Sequence, residues 1–327
     1  MIYEIDRNIY RIVVPLAGSP LGTLNAYYFR GGEEEYLMDT GFDTPACEAS
    51  LRESLVSLGY TPERLNIINT HLHMDHTGLD HRFVGPRRHV YLNRTDLYSL
   101  PGFGTTERGR RGERERREGV SENEFFRIMQ RVGFERDIAW LRSIRDQFVP
   151  LTDGQALDVG PCTLQTVSVP GHSPGNTMFY LPEKKIMFTG DHVLFDITPN
   201  ITAYPDFDNS LQHYLDSLKT AERFDVVLAL PGHRNPGDYY ARIEEIRRHH
   251  DRRMDEIVDI VGNSPGLTAY EITHRMHWRI HPDRSGSIPP EQLWFAAGEC
   301  MSHLDKLVAD GRVLRIDGEP YITYQLP

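Results

Sequence analysis

Apolar and polar positions alternate with a period of two near the start of the chain. Alternating or apolar strands are predicted over Tyr10–Pro15, Leu24–Phe29 and Tyr36–Asp39. Ile2–Pro15 as a whole reads as two strands. The pattern then lengthens to a helix over Pro45–Leu58, with Asp43 or Thr44 as its cap. Leu65–Asn69 is an apolar run of strand length, and another strand falls near His89–Leu92. A second series follows the turn Asp153-Gly154, with strands predicted at Gln155–Val159, Cys162–Val169, Thr177–Tyr180 and Lys185–Thr189. The helix Ser210–Arg223 and the strand Asp225–Ala229 close it. Strands and helices alternating in two similar halves predict a layered α/β fold.

Two stretches depart from this rhythm. The first, Ser99–Phe148, opens with Pro101-Gly102-Phe103-Gly104 and carries a charge run from Glu107 to Glu118. Helical patterns follow at Asn123–Val132 and Arg136–Asp146. Mixed Arg and Glu favour a solvated helix with i,i+4 pairs. The sharper alternative is an arginine-bearing lid that grips an anionic group. The second stretch begins with a helix from about Asp238 to Val261, broken by Asn263-Ser264-Pro265-Gly266. Thr268 with Glu271 forms a capping-box signature for Ala269–His277. An amphipathic helix follows at Pro290–Ala309. Arg312–Ile316, the turn Asp317-Gly318 and Tyr321–Gln325 read as a hairpin.

Length and charge narrow the picture. The 327 residues suit two domains better than one, and 39% hydrophobic residues suffice for cores of that size. A formal net charge of −11 disfavours nucleic acid and acidic membranes as partners. No apolar run approaches the ~20 residues that span a bilayer. No basic-then-apolar leader opens the sequence, so a cytoplasmic location is expected. Cys47, Cys162 and Cys300 are widely spaced and suggest reduced thiols with no disulfide framework.

The chemistry lies in Thr70-His71-Leu72-His73-Met74-Asp75-His76-Thr77-Gly78, directly after a predicted strand. In an extended segment, side chains two apart share a face, so His71 and His73 can close on one ion. Asp75 and His76 fall where the chain turns and can face a second ion. Imidazole and carboxylate suit zinc and its first-row neighbours. Three further strands end in the same way. His172 sits in Pro170-Gly171-His172-Ser173-Pro174-Gly175, Asp191 in Gly190-Asp191-His192, and His233 in Pro231-Gly232-His233.

Together these motifs resemble the metallo-beta-lactamase superfamily, whose loops read H-x-H-x-D-H, then a lone H, a bridging D and a final H. The resemblance covers roughly residues 1–240. It implies an αββα sandwich over residues 1–248, with 99–148 as a helical insertion or lid. The C-terminal pattern is similar to the small winged-helix domain of some members, here 249–327. By resemblance, one metal takes His71, His73 and His172, a second takes Asp75, His76 and His233, and Asp191 bridges them. Asp39 matches the family's aspartate that orients a ligand histidine. The implied cofactor is two divalent ions, zinc first, with iron or manganese as alternatives. Asp75 would accept a hydrogen bond from the attacking nucleophile.

With both Asp191 and His76 present, the set is similar to glyoxalase II, lactonase and nuclease-type members rather than to true β-lactamases. The expected activity is hydrolysis of a thioester, lactone or related acyl ester, with a small-molecule acyl substrate as partner. A phosphodiesterase or endoribonuclease is the second reading, and a mononuclear-iron persulfide oxygenase the third. Glu291, Glu299, Asp305 and Asp310 against a single Lys306 argue against DNA binding by the predicted winged helix. A packing or homodimerisation role is preferred for it. His192 is weighed evenly between substrate contact and packing. Tyr27, Tyr28, Phe195 and Tyr204 are read as core more readily than as pocket. His249, His250, His274, His277 and His281 are expected at the surface.

Overall fold

The computed structural model describes residues 1–100, 108–121, 139–279 and 289–327. It divides into two compact units. The first comprises residues 1–105, 139–199 and 217–243, and the second 106–138, 200–216 and 244–327. By compactness, then, the described residues 108–121 of the 99–148 interruption group with the C-terminal segment.

The first unit holds two sheets. The larger takes β1 (Ile2–Asp6), β2 (Ile9–Pro15), β3 (Thr23–Phe29) and β4 (Glu35–Met38) in antiparallel sequence. It continues in parallel through β5 (Leu65–Ile68), β6 (Val90–Asn93) and β7 (Phe148–Leu151). The smaller sheet is a meander of β8 (Ala156–Asp158), β9 (Thr163–Ser168), β10 (Thr177–Leu181) and β11 (Ile186–Gly190), with β12 (Leu228–Pro231) parallel to β11.

Strand periodicity explains the layering. Tyr10, Ile12, Val14 and Tyr28 pack on one face of the large sheet against Cys47, Leu51 and Leu55 of α1 (Pro45–Ser57). Tyr27, Phe29, Met38 and Ile68 point the other way, onto Phe179, Phe188 and Leu230 of the small sheet. Tyr27 and Phe29 both meet the Phe188 ring edge-on, with centroids 5.0 and 5.4 Å apart. Burial on both faces makes this the αββα sandwich, and every loop of chemical interest leaves the same ends of these strands. Thr44 caps α1, its side chain accepting from Cys47 N–H.

The differences from the sequence reading have local causes. β4 starts one residue early because Glu35 is buried, its carboxylate accepting from the Tyr28 hydroxyl and the Thr61 amide. The strand predicted at Asp225–Ala229 lies instead at Leu228–Pro231. Val227 is 76% exposed, and its amide only reaches back to the Lys185 carbonyl. β7 is an addition to the predicted strands. Its Pro150 is tolerated because the strand is the last of its sheet. Short helices α2 (Met74–Thr77), α3 (Asp80–Phe83), α4 (Arg94–Ser99) and α6 (Ala139–Ser143) fall within the loops, and α5 is Arg108–Arg117. α7 (Ser210–Ala221) ends two residues before its predicted limit.

In the second unit, α8 (Tyr239–Asn263) enters from residue 244. It is followed by α9 (Ala269–Arg275), α10 (Pro290–Ala309) and the antiparallel hairpin β13 (Leu314–Asp317) and β14 (Ile322–Gln325). Thr268 and Glu271 form the complete capping box. The solvated-helix reading of α5 needs correction. Glu115 and Glu118 are 2% and 1% exposed; Trp294 Nε1–H donates to Glu115, and the Tyr324 hydroxyl donates to Glu118. Arg114 binds Asp305 at 2.7 Å, so part of the run is spent inside this unit. His250 is also corrected: it is fully buried, with Nδ1 3.0 Å from His303 Nε2. His274 and His277 are exposed as expected, and His249 is partly so. Pro101–Gly104, the helical pattern Asn123–Val132 and His281 lie outside the described residues. The thiols of Cys47, Cys162 and Cys300 are free.

Candidate metal centre

Five loops converge at one end of the sandwich. They follow β4 (Asp39), β5 (His71 to His76), β9 (His172), β11 (Asp191) and β12 (His233). Three overlapping groups of ligand atoms lie within 4.8 Å of one another: His71, His73 and His172; His71, His76 and Asp191; and Asp75, His76 and His233. All seven residues named from the sequence motifs are therefore in one place, and all but half-buried His73 are buried.

Hydrogen bonds behind the rings decide which nitrogens face inward. His76 Nδ1 lies 2.8 Å from Asp39 Oδ2, and His233 Nδ1 lies 2.7 Å from the Thr23 carbonyl oxygen. Both acceptors hold a proton on Nδ1, which turns both Nε2 atoms inward. Those two nitrogens are 3.3 Å apart. Ring nitrogens gathered this closely beside carboxylate oxygens suit a shared cation that would take the place of their Nε2 protons. Around the same point, Asp191 Oδ2 is 3.3 Å from His233 Nε2, and Asp191 Oδ1 is 3.5 Å from His76 Nε2. Asp75 Oδ2 is also 3.3 Å from His233 Nε2. On the other side, His71 Nε2 and His73 Nδ1 stand 2.9 Å apart. This donor set fits divalent metal on both counts of atom type and direction.

The titration behaviour separates the two sides. Burial, reinforced by neighbouring imidazoles, holds His71 well below its ordinary value, and burial holds His73 down at about 3. Burial would depress His233 and His76 too. Asp191 and Asp75 outweigh it at His233 and push it up to about 10. Asp39, Asp191 and Asp75 do the same at His76, which is held well above its ordinary value. Asp75 stays ionised, drawn down to about 2 by His76 and His233 against the effect of burial. One side is thus a set of neutral imidazoles, and the other is a carboxylate-rich field that attracts positive charge.

Backbone approach sets the tolerance of the site. A Cβ on Gly232 would lie 2.5 Å from Asp191 Oδ1 and 3.0 Å from His76 Cε1, so only glycine fits there. Asp39, at φ +60°, also takes the Thr70 amide and hydroxyl, each at 2.9 Å. Several supporting residues escape a reading of the sequence. Thr40 Oγ1–H donates to Asp80 Oδ1, and Asn69 Nδ2–H donates to Asp80 Oδ2 at 2.6 Å, behind the Asp39 and His76 pair. Nothing in their spacing announces them. His192 is fully buried, and burial holds it neutral at about 3. Tyr27 and Tyr28 belong to the core, the Tyr27 hydroxyl donating to the Pro231 carbonyl.

The sequence model of the metallo-beta-lactamase superfamily matches residues 20–233, the span that carries this centre. The chain belongs to the metallo-beta-lactamase superfamily. It is 26% identical over 338 residues to the lactamase-like protein nscB of Aspergillus fumigatus, covering 95% of this chain and 82% of that one. It is also 26% identical to the atrochrysone carboxyl ACP thioesterase of the same organism, over 70% of this chain and 58% of that protein. Among solved structures, a metallo-beta-lactamase family protein from Thermus thermophilus superposes with a TM-score of 0.72 at 28% identity, covering 99% of this chain and all of that one. A beta-lactamase domain protein from Burkholderia ambifaria gives a TM-score of 0.78 at 22% identity, covering 100% of this chain and 93% of that one, and so shares the fold. This superfamily member is accordingly a hydrolase with a candidate divalent-metal centre. Among its described residues, no helix is long and apolar enough to cross a membrane.

Proposed function

We propose that the protein is a dinuclear metal-dependent hydrolase of thioesters, lactones or related acyl esters, with zinc as the first choice of metal. The observation that carries this reading is the position of Asp191, whose Oδ2 lies 3.3 Å from His233 Nε2 and 3.8 Å from His172 Nε2, residues of two different groups of three. His71, His73 and His172 would hold one ion, Asp75, His76 and His233 the second, and Asp191 would join them. Bound metal of this kind supplies hydroxide at neutral pH and polarises the carbonyl under attack.

The chain's own residues have simpler tasks. Asp39 keeps the proton of His76 on Nδ1, so that Nε2 faces inward. The Thr23 carbonyl does the same for His233. Asp75, ionised at neutral pH, is available to accept a hydrogen bond from the attacking water. His192 is fully buried and neutral, which favours packing over substrate contact. A thioester is favoured among acyl substrates because one similar protein is named a thioesterase. The expected partner is a small acyl molecule, in a cytoplasmic setting that suits three free thiols.

The test is hydrolysis by zinc-, manganese- and iron-loaded protein across thioesters, lactones, RNA and a simple phosphodiester. Turnover of acyl compounds alone is expected. Turnover of phosphodiesters alone would reverse the substrate assignment. One iron per chain with oxygen consumption on a persulfide would replace hydrolysis altogether.

A further inference from the structure

We propose that Asp96 is the positioning residue for the His71, His73 and His172 group, and sets how tightly that half of the centre holds its ion. The proposal rests on the metal-hydrolase reading above. Asp96 lies in the first turn of α4, whose cap Asn93 accepts from Thr95 N–H. Its carboxylate is fully buried and is claimed by two other loops. Oδ2 accepts from Leu72 N–H at 2.9 Å and from the Ser173 hydroxyl at 2.7 Å, while Oδ1 accepts from Gly175 N–H at 2.6 Å.

The positions of those donors give the bonds their meaning. Leu72 is the residue between His71 and His73, and Ser173 directly follows His172. One carboxylate therefore fixes the backbones that carry all three ligands of the group, through its bonds to the chain around them. Asn93 reinforces it, with Nδ2–H donating to Ser168 Oγ at 3.2 Å and to Thr177 Oγ1 at 3.1 Å. The fit is close: a Cβ on Gly175 would lie 2.6 Å from the Asp96 amide nitrogen and 2.8 Å from its Cγ. Asp39 touches the His76 ring directly and reaches His71 through the Thr70 hydroxyl, which lies 3.0 Å from His71 Nδ1. The two buried aspartates thus support the centre from different points.

A carboxylate accepts at both oxygens, whereas an amide offers one acceptor and one donor. In Asp96→Asn, the new NH2 must face either Gly175 N–H or the Leu72 and Ser173 donors, and one side of the clasp opens. Losing support of this type weakens metal binding by about 10- to 100-fold.

The experiment uses full-length wild type, Asp96→Asn and Ser173→Ala. Each is loaded with cobalt(II) or zinc and equilibrated against a graded chelator series. Metal per chain, the visible cobalt spectrum and the circular dichroism of the metal-free proteins are measured. In Asp96→Asn, one ion is expected to weaken by about tenfold or more with a changed cobalt spectrum, while the other keeps its affinity. Ser173→Ala should move the same ion less. Unchanged affinity for every ion in Asp96→Asn overturns the proposal. If that variant does not fold, unchanged affinity in Ser173→Ala overturns it instead. A wild type holding one ion would refute the dinuclear reading alone; the Asp96 proposal would then stand or fall on whether that ion weakens in the variants.

Discussion

Replacing Glu118 by glutamine should stabilise the protein at neutral pH and remove a pH dependence from it. Glu118 is 1% exposed in the second unit, and burial pushes its carboxyl from 4.5 up to about 7, against the pull of Arg114, the Tyr324 hydroxyl and Arg315. An acid whose folded pKa is raised binds its proton more tightly in the native state. Its ionisation therefore removes stability as pH rises from the unfolded value of 4.5 to the folded value near 7, and the loss is complete above that window. Between 4.5 and about 7 the shift corresponds to about 3 kcal/mol. Glutamine fills the same space and its carbonyl still accepts from Tyr324, but it has no proton to lose. The assay is urea unfolding of both proteins at half-unit steps from pH 4.5 to 8, followed by circular dichroism. Taking the difference between the two curves cancels the imidazoles and carboxylates of the metal centre. The variant should match wild type near pH 4.5 and exceed it by about 3 kcal/mol at pH 8. A difference that is flat with pH, or that favours wild type at pH 8, would refute the reasoning.

Three further outcomes are expected. Asp191→Ala should lower metal stoichiometry and abolish turnover; elemental analysis beside the hydrolysis assay checks this, and wild-type activity would exclude a bridging role. Gly232→Ala drives a methyl to 2.5 Å from Asp191 Oδ1, so kcat should fall about 100-fold, as misplacement at a catalytic centre commonly does, and the overpacking should cost about 1–3 kcal/mol in urea unfolding of the metal-free protein. Thr268→Ala removes half of a capping box and should cost about 1 kcal/mol in urea unfolding, with metal content unchanged.

Much of the centre was legible because metal ligands follow strands in short motifs, and strands carry a period of two. Asp39 was legible through the family resemblance, its place at the end of an apolar run matching the aspartate that orients a ligand histidine. Asp96 was not. Its partners are backbone amides and a hydroxyl at Leu72, Ser173 and Gly175, far away in sequence, and such bonds leave no mark on residue spacing. Asp80 was hidden in the same way, its partners Thr40 and Asn69 being ordinary residues at strand ends. The charge run from Glu107 to Glu118 misled because mixed Arg and Glu look solvent-facing, yet Trp294 and Tyr324 supply inward donors for Glu115 and Glu118. His250 misled because a paired histidine in a charged helix reads as surface until His303, 53 residues on, is seen to meet it. The C-terminal helices were legible from capping and periodicity alone.

The donors of the centre are divided between the layers of the sandwich. His71, His73, Asp75 and His76 hang from the large sheet, and His172, Asp191 and His233 from the small one. Each group of three that could hold a metal draws its donors from both sheets. An ion here would work as a rivet between two plates. Sliding one sheet along the other would loosen its grip, and drawing it out would free the plates to slide. Ion release and sandwich breathing then become one event seen from two sides. The slowest amide exchange in Phe179 and Phe188, between the plates, should track the off-rate of the metal rather than the global stability of the chain.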